Sequence, residues 1–323
     1  MRKSSTLARV VVAVCAAVTV ALSGVVAHAQ PDDAPPPSGP VPGENNAPID
    51  PSLPDTGQPD AADQALGEPA AACSTRPTGG DASVGRDLPG GGFYRLYVPP
   101  GLSGAAPLLV ALHGGGGSPV SHENMTGWSG FAKQKKFIVA YPRARVPSPT
   151  GGWLWFSQPG ALEIELIRSV VRDVAATWCV NPKRVYVEGH SMGGMMTGRM
   201  ACAARNMFAS FGVYDGQYPI DPNNCPAGRP ASFAFFAGSQ EKSDAHVATR
   251  DHRDLWRKRN ACPAQPANEP HPAGVLVAQR FECAAGTRVL WRVYDAGHAW
   301  PQGALDDDIR NRMWTFFMSN PRP

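Results

Sequence analysis

Past residue 90 the chain alternates short apolar runs with longer stretches in which apolar residues return every three or four positions. Phe93-Tyr94-Arg95-Leu96-Tyr97-Val98 alternates like a half-buried strand and is closed by Pro99-Pro100. Leu108 to Leu112, Phe137 to Tyr141, Arg184 to Val187, Phe211 to Tyr214, Phe233 to Phe236 and Val289 to Tyr294 are near-continuous apolar runs. Runs of this length suit strands covered on both faces of a parallel sheet. Between them, Leu162 to Trp178 carries Leu166, Ile167, Val170, Val171 and Val174 at helical spacing. Met195 to Ala204, Thr249 to Asn260 and Leu305 to Met318 are further helical stretches, the last led by Asp306, Asp307 and Asp308 at its expected N-terminus. Strand and helix in this alternation predict an α/β architecture, a mostly parallel doubly wound sheet flanked by helices.

The first 90 residues follow different rules. Arg2, Lys3 and Arg9 precede an apolar run from Val10 to about Val26, and Ala27-His28-Ala29 supplies a small-x-small cleavage site. Residues 1–29 therefore read as a signal peptide, with no stable membrane insertion after its removal. From 30 to 72 the chain is rich in Pro, Asp, Ala and Gly and poor in large apolar residues, which predicts a disordered linker. Residues 73–323 remain, about 250 residues, enough for one domain with one core.

Composition then narrows the partners. The chain holds 30 Lys+Arg against 27 Asp+Glu, and three of the basic residues sit in the signal, so the remainder is formally neutral. No basic stripe interleaved with aromatics appears, and a nucleic-acid partner is not expected. Setting aside Cys15 leaves six cysteines: Cys73, Cys179, Cys202, Cys225, Cys262 and Cys283. An even number in an exported chain suggests up to three disulfides, with pairing open, and a secreted or envelope-associated location. No pair has C-x-x-C spacing, so neither a zinc site nor a redox motif is expected.

The chemistry concentrates in three loops. Gly189-His190-Ser191-Met192-Gly193 follows the run ending at Val187 and precedes a helical stretch. A G-x-S-x-G pentapeptide between strand and helix holds its serine on a strained turn with the hydroxyl raised above the sheet, which makes Ser191 the expected nucleophile. Leu108 to Leu112 leads into His113-Gly114-Gly115-Gly116-Gly117. Glycines there let the backbone approach a substrate oxygen, so Gly114 or Gly115, with Met192, are the expected oxyanion donors. A phosphate loop is excluded, since no Gly-Lys-Ser/Thr follows. The base must be a histidine after the serine. Of His246, His252, His271 and His298, only His298 lies just beyond a late strand, in Gly297-His298-Ala299-Trp300-Pro301. The acid is expected in the loop after Phe236, where Glu241 and Asp244 both qualify. Trp153 and its neighbours Trp155 and Phe156, together with His113 and Trp300, are candidate substrate-binding residues.

These features resemble the secreted poly(3-hydroxybutyrate) depolymerase and feruloyl esterase family of α/β-hydrolases. The resemblance runs from about Tyr94 to Pro301 and rests on Leu112-His113-Gly114, Tyr141-Pro142, the Arg184-to-Gly194 strand and elbow, Trp256 with Asn260-Ala261-Cys262, and Gly297-His298-Ala299-Trp300-Pro301. The family's acid is usually an aspartate in a His-Gly-Thr-x-Asp loop. Here that loop reads Ala237-Gly238-Ser239-Gln240-Glu241, which makes Glu241 the matching position and keeps Asp244 open. The resemblance also implies that Cys262 and Cys283 are disulfide cysteines. It implies an esterase acting through an acyl-enzyme on feruloyl, acetyl or hydroxyalkanoate esters, with no cofactor and an ester substrate, polysaccharide-linked or polyester, as partner. Two other readings stay open: an acyltransferase with the same triad, and a non-catalytic envelope-binding protein on a hydrolase scaffold.

Overall fold

The fold was analysed in a computed structural model, which describes residues 65–67, 73, 76–158, 160–216, 224–240 and 245–323. The proposed signal and all but residues 65–67 of the proposed linker lie outside the described residues. Leu66, inside that linker segment, packs against the core, so the domain's contacts begin ahead of Cys73.

In chain order the strands are β1 (Val84–Asp87), β2 (Phe93–Tyr97), β3 (Ala106–Leu112), β4 (Ile138–Pro142), β5 (Val146–Pro147), β6 (Trp153–Leu154), β7 (Val180–His190), β8 (Ser210–Tyr214), β9 (Ser232–Gly238), β10 (Ala267–Asn268), β11 (Val275–Glu282) and β12 (Arg288–Tyr294). The helices are α1 (Pro119–Thr126), α2 (Trp128–Lys135), α3 (Leu162–Thr177), α4 (Met192–Ala203), α5 (Ala245–Arg259) and α6 (Ala304–Ser319). Among the described residues, ten strands form one sheet in the order β1-β2-β4-β3-β7-β8-β9-β12-β11-β10. From β4 through β12 neighbours run parallel, and antiparallel pairs close both edges. The small β5–β6 hairpin stands apart and joins the Gly-rich loop through a Gly117–Trp153 bridge.

Every central strand buries both faces, which is why its sequence is apolar without alternation. On β3, Leu108, Val110 and Leu112 point to one side, where α3 supplies Ile167, Val170, Val171 and Val174 and α4 supplies Met196 and Met200. Leu109 and Ala111 point to the other, where α2 supplies Trp128 and Phe131 and α6 supplies Ile309, Met313, Trp314 and Phe317. The result is helix, sheet, helix in three layers.

All seven predicted strands and four predicted helices form, with shifted ends. Seven elements escaped the pattern: α1, α2 and β11, and the strands β1, β5, β6 and β10, which are only two to four residues long. Helices α1 and α2 are eight residues each, broken by Gly127 at φ 62°, too short to show a clear apolar period. Strand β11 lies near the edge and mixes buried Val275, Ala278 and Phe281 with Gln279 and Arg280. The six cysteines pair as Cys73–Cys179, Cys202–Cys225 and Cys262–Cys283. The first joins the domain's N-terminal end to the start of β7, and the other two close loops of 23 and 21 residues' separation.

Candidate active site

The loops expected to carry chemistry leave the carboxyl ends of β3, β7, β9 and β12, where ligands bind in open α/β sheets. Strand β7 runs through Gly189 and His190 and passes directly into α4, with Ser191 as the single residue between them. Ser191 sits at φ 56° and ψ −119°, a strained backbone for a side chain and worth about 1–3 kcal/mol. Its surroundings hold it there. The Ser191 N–H donates to the Tyr214 carbonyl at 3.0 Å, and its carbonyl accepts the Met195 N–H at 3.1 Å. The turn closes only because Gly189 and Gly193 lack side chains. A Cβ on Gly189 would lie 2.2 Å from the Gly193 backbone, and one on Gly193 would lie 2.2 Å from the Leu112 carbonyl oxygen.

His298 comes to this serine from 107 residues away. Its Nε2 lies 2.9 Å from Ser191 Oγ. The loop that carries it is pinned at several backbone points. His190 Nε2 donates to the His298 carbonyl at 2.7 Å, and the Tyr214 hydroxyl donates to the Gly297 carbonyl at 3.1 Å. Ser239 and Gln240 donate their N–H groups to the Tyr294 and Ala296 carbonyls. Because a carbonyl can only accept, His190 carries its proton on Nε2. Burial holds His190 neutral, its pKa pushed down to about 3.

The Gly-rich loop approaches from β3. A Cβ on Gly114 would lie 3.4 Å from Ser191 Cβ, and one on Gly115 would lie 2.4 Å from Met192 Sδ. Met192 is the first residue of α4, so its N–H has no acceptor within the helix and lies at the positive end of the helix dipole. Gly114, Gly115 and Met192 thus stand beside Ser191.

Of the five candidate substrate-binding residues, His113, Trp153, Trp155 and Trp300 are buried and Phe156 is exposed. His113 is 1 % exposed and its pKa is pushed down to about 3 by burial. Its Nδ1–H donates to the Gly114 carbonyl at 2.8 Å, and its Nε2 accepts the Ala144 N–H at 3.2 Å. Trp153 is buried under the Arg143 guanidinium and ties β6 to the Gly116–Gly117 backbone. Trp300 is buried against Tyr214, and its indole N–H donates to Asp306 at 2.8 Å. The buried rings of His113 and Trp153 brace the Gly-rich loop, and that of Trp300 packs under the His298 loop.

Glu241 and Asp244 lie outside the described residues. Two residues that the sequence reading passed over stand in the site. His190, the first variable position of the pentapeptide, fixes the His298 backbone. Asp215, directly after β8, is fully buried with Oδ2 at 4.0 Å from His298 Nδ1. A signal for it existed: an acidic residue ending a wholly apolar run, between the serine and the histidine in chain order.

This geometry can be set beside known proteins. Residues 93–220 match the esterase PHB depolymerase family. The resemblance extends to named relatives. The chain is 31% identical over 156 residues to poly(3-hydroxyalkanoate) depolymerase C of Paucimonas lemoignei, covering 46% of this chain and 36% of that protein. It is 26% identical over 239 residues to feruloyl esterase B of Piromyces equi, covering 66% of this chain and 44% of that protein. The chain therefore spans less than half the length of these curated relatives. Among solved structures, an acetyl xylan esterase from Aspergillus awamori superposes with a TM-score of 0.57 at 17% identity, over 74% of this chain and 98% of that one. The chain has the α/β-hydrolase fold.

Proposed function

We propose that the protein is an exported carboxylic ester hydrolase with Ser191 as nucleophile and His298 as general base. One observation carries this reading: a serine hydroxyl on a strained strand-to-helix turn, 2.9 Å from an imidazole nitrogen whose loop is pinned from both sides. The named relatives, esterases and a polyester depolymerase, support the same class of reaction.

In the reaction, His298 Nε2 takes the Ser191 proton as Oγ attacks the ester carbonyl. The oxyanion that forms accepts hydrogen bonds from the Met192 N–H and from Gly114 or Gly115. The protonated His298 gives its proton to the departing alcohol, leaving an acyl group on Ser191. Water, deprotonated by His298, then attacks that acyl group, and the acid leaves as the serine regains its proton. Feruloyl, acetyl and hydroxyalkanoate esters are the acyl classes to compare. Export is supported by the basic and apolar N-terminus ending in Ala27-His28-Ala29, and by three disulfides among the six remaining cysteines. No helix among the described residues is long and apolar enough to cross a membrane.

The test is turnover of p-nitrophenyl acetate and butyrate by wild type and Ser191→Ala. The substitution lowers kcat by about 10⁴-fold or more, the scale on which such nucleophiles act. Equal rates for the two proteins would end the assignment.

A further inference from the structure

We infer that Asp215, at the end of β8, is the carboxylate that orients His298, in place of an acid in the loop after β9. The inference rests on the reading of Ser191 as nucleophile and His298 as base.

The sheet order brings Asp215 to this position. Strand β8 lies between β7, which delivers Ser191, and β9. The carboxyl end of β8 is thus one strand closer to the serine's strand than the carboxyl end of β9. Asp215 still lies between serine and histidine in chain order. The backbone turns at that point: Asp215 has φ 44°, a left-handed conformation that aspartate and asparagine tolerate better than most side chains. The turn is fastened by the Asp215 N–H, which donates to the Phe236 carbonyl at 2.9 Å.

Burial makes the carboxylate's surroundings informative. A fully buried carboxylate needs donors and an opposing charge. Both oxygens of Asp215 accept the Gly238 N–H, at 3.2 and 3.1 Å, and Oδ2 faces His298 Nδ1 at 4.0 Å. The imidazole has its other nitrogen, Nε2, on Ser191 Oγ, so carboxylate, ring and hydroxyl are in sequence. At 4.0 Å the Asp215–His298 pair is an ion-pair contact and longer than a hydrogen bond. Contacts of this kind commonly tighten when substrate binds. The loop above is seated directly on the strand ends. A Cβ on Gly238 would lie 2.4 Å from the Gly297 oxygen and 2.5 Å from the Ala296 oxygen, so the base's loop rests on the β9 terminus with Asp215 beneath it.

The sequence agrees with a displaced acid. The loop in which the family places its aspartate reads Ala237-Gly238-Ser239-Gln240-Glu241, with both the expected histidine and the expected aspartate replaced. Asp215 acts through His298. It holds the Nδ1–H tautomer, so that Nε2 is free to accept the serine proton, and it stabilises the imidazolium formed in each half-reaction. Its own proton count does not change.

The experiment compares Asp215→Asn with Glu241→Gln, Asp244→Asn and the Glu241→Gln/Asp244→Asn double variant, on p-nitrophenyl butyrate. Asn is isosteric, tolerates the left-handed backbone and still accepts the Gly238 N–H. Its amide, however, donates to Nδ1 and reverses the tautomer. We expect Asp215→Asn to lower kcat by about 10³–10⁴-fold with KM changed by less than about threefold. Its melting temperature stays near that of wild type. The double variant keeps activity within about tenfold of wild type. The far-downfield proton resonance of an imidazole N–H held by a carboxylate is present in the double variant and absent in Asp215→Asn. The inference is overturned if Asp215→Asn stays within about tenfold of wild type while Ser191→Ala is inactive. It is equally overturned if the double variant loses about 10³-fold, a result that does not depend on Asp215→Asn folding. An active Ser191→Ala would instead remove the reading on which the inference stands.

Discussion

His190 occupies one of the two pentapeptide positions that the turn itself leaves free, yet it contacts both the Gly-rich loop and the His298 loop. Its ring packs 4.9 Å from the His298 ring, and its Nε2–H fixes the carbonyl of the very residue proposed as base. On the other side, a Cβ on Gly114 would come within 3.1 Å of His190 Nδ1, so the same ring also fills the space beneath the Gly-rich loop. Replacing His190 with Ala leaves Ser191 in place but frees the His298 loop. Displacements of about 1 Å at a catalytic group cost up to about 10²-fold in rate. His190→Ala is therefore expected to lower kcat by about 10- to 100-fold with a smaller effect on KM, as steady-state kinetics on p-nitrophenyl butyrate will register. His113 has a parallel role on the other loop, where its Nδ1–H and the Gly117 N–H both point at the Gly114 carbonyl.

The strand-to-helix passage at residue 191 is the element on which everything else is registered. Strand β7 and helix α4 cross so closely that the backbone of Gly193 touches the end of β3. A methyl group on Gly193 would meet the Leu112 oxygen at 2.2 Å and the His113 oxygen at 2.6 Å, both main-chain atoms with no flexible end to move. Overpacking of this kind costs about 1–3 kcal/mol or more. Gly193→Ala is expected to lower the melting temperature and to abolish turnover together, because the clash displaces Ser191 and the Gly114 loop at once. A variant with unchanged melting and activity would mean the crossing is looser than described. The sequence showed this element through its spacing, since two glycines flanking a serine after an apolar run have few other uses. It did not show that β7 extends through His190, or that α4 begins immediately at Met192, because glycine and histidine carry no strand or helix preference strong enough to mark an end.

Across the whole molecule, stability is tied to keeping several imidazoles neutral. His113, His190 and His252 are buried, and burial pushes each pKa from the ordinary 6.5 down to about 3. The unfolded chain takes up these protons once the pH drops below about 6.5, whereas the folded chain resists until about pH 3. The stability contributed by these groups is complete above about pH 6.5 and is lost as the pH falls toward 3. Melting temperatures measured from pH 7.5 down to 5 should decline accordingly. His252 packs against Phe233 and Phe235 and accepts the Trp256 indole N–H at 3.1 Å, in contacts that involve none of the proposed site residues. His252→Gln keeps an acceptor for that indole and removes one titrating group, so its decline with acid should be shallower than that of wild type. A slope unchanged by the substitution would remove His252 from the account.

The sequence by itself determined the layered α/β fold, because a strand covered on both faces must be apolar throughout, and that property is written in consecutive residues. It determined the elbow at Ser191 and the loop at His298 for the same reason: each is a short local pattern at the end of such a strand. Tertiary structure alone decided which cysteines pair, which rings brace the loops from behind, and that Asp215 lies beside His298. Those outcomes depend on the order of strands in the sheet, which sets β8 between β7 and β9 and brings His298 to Ser191 across 107 residues. No local periodicity encodes that order. An aspartate at the end of β8 acquires its meaning only when the loop from β12 folds over it.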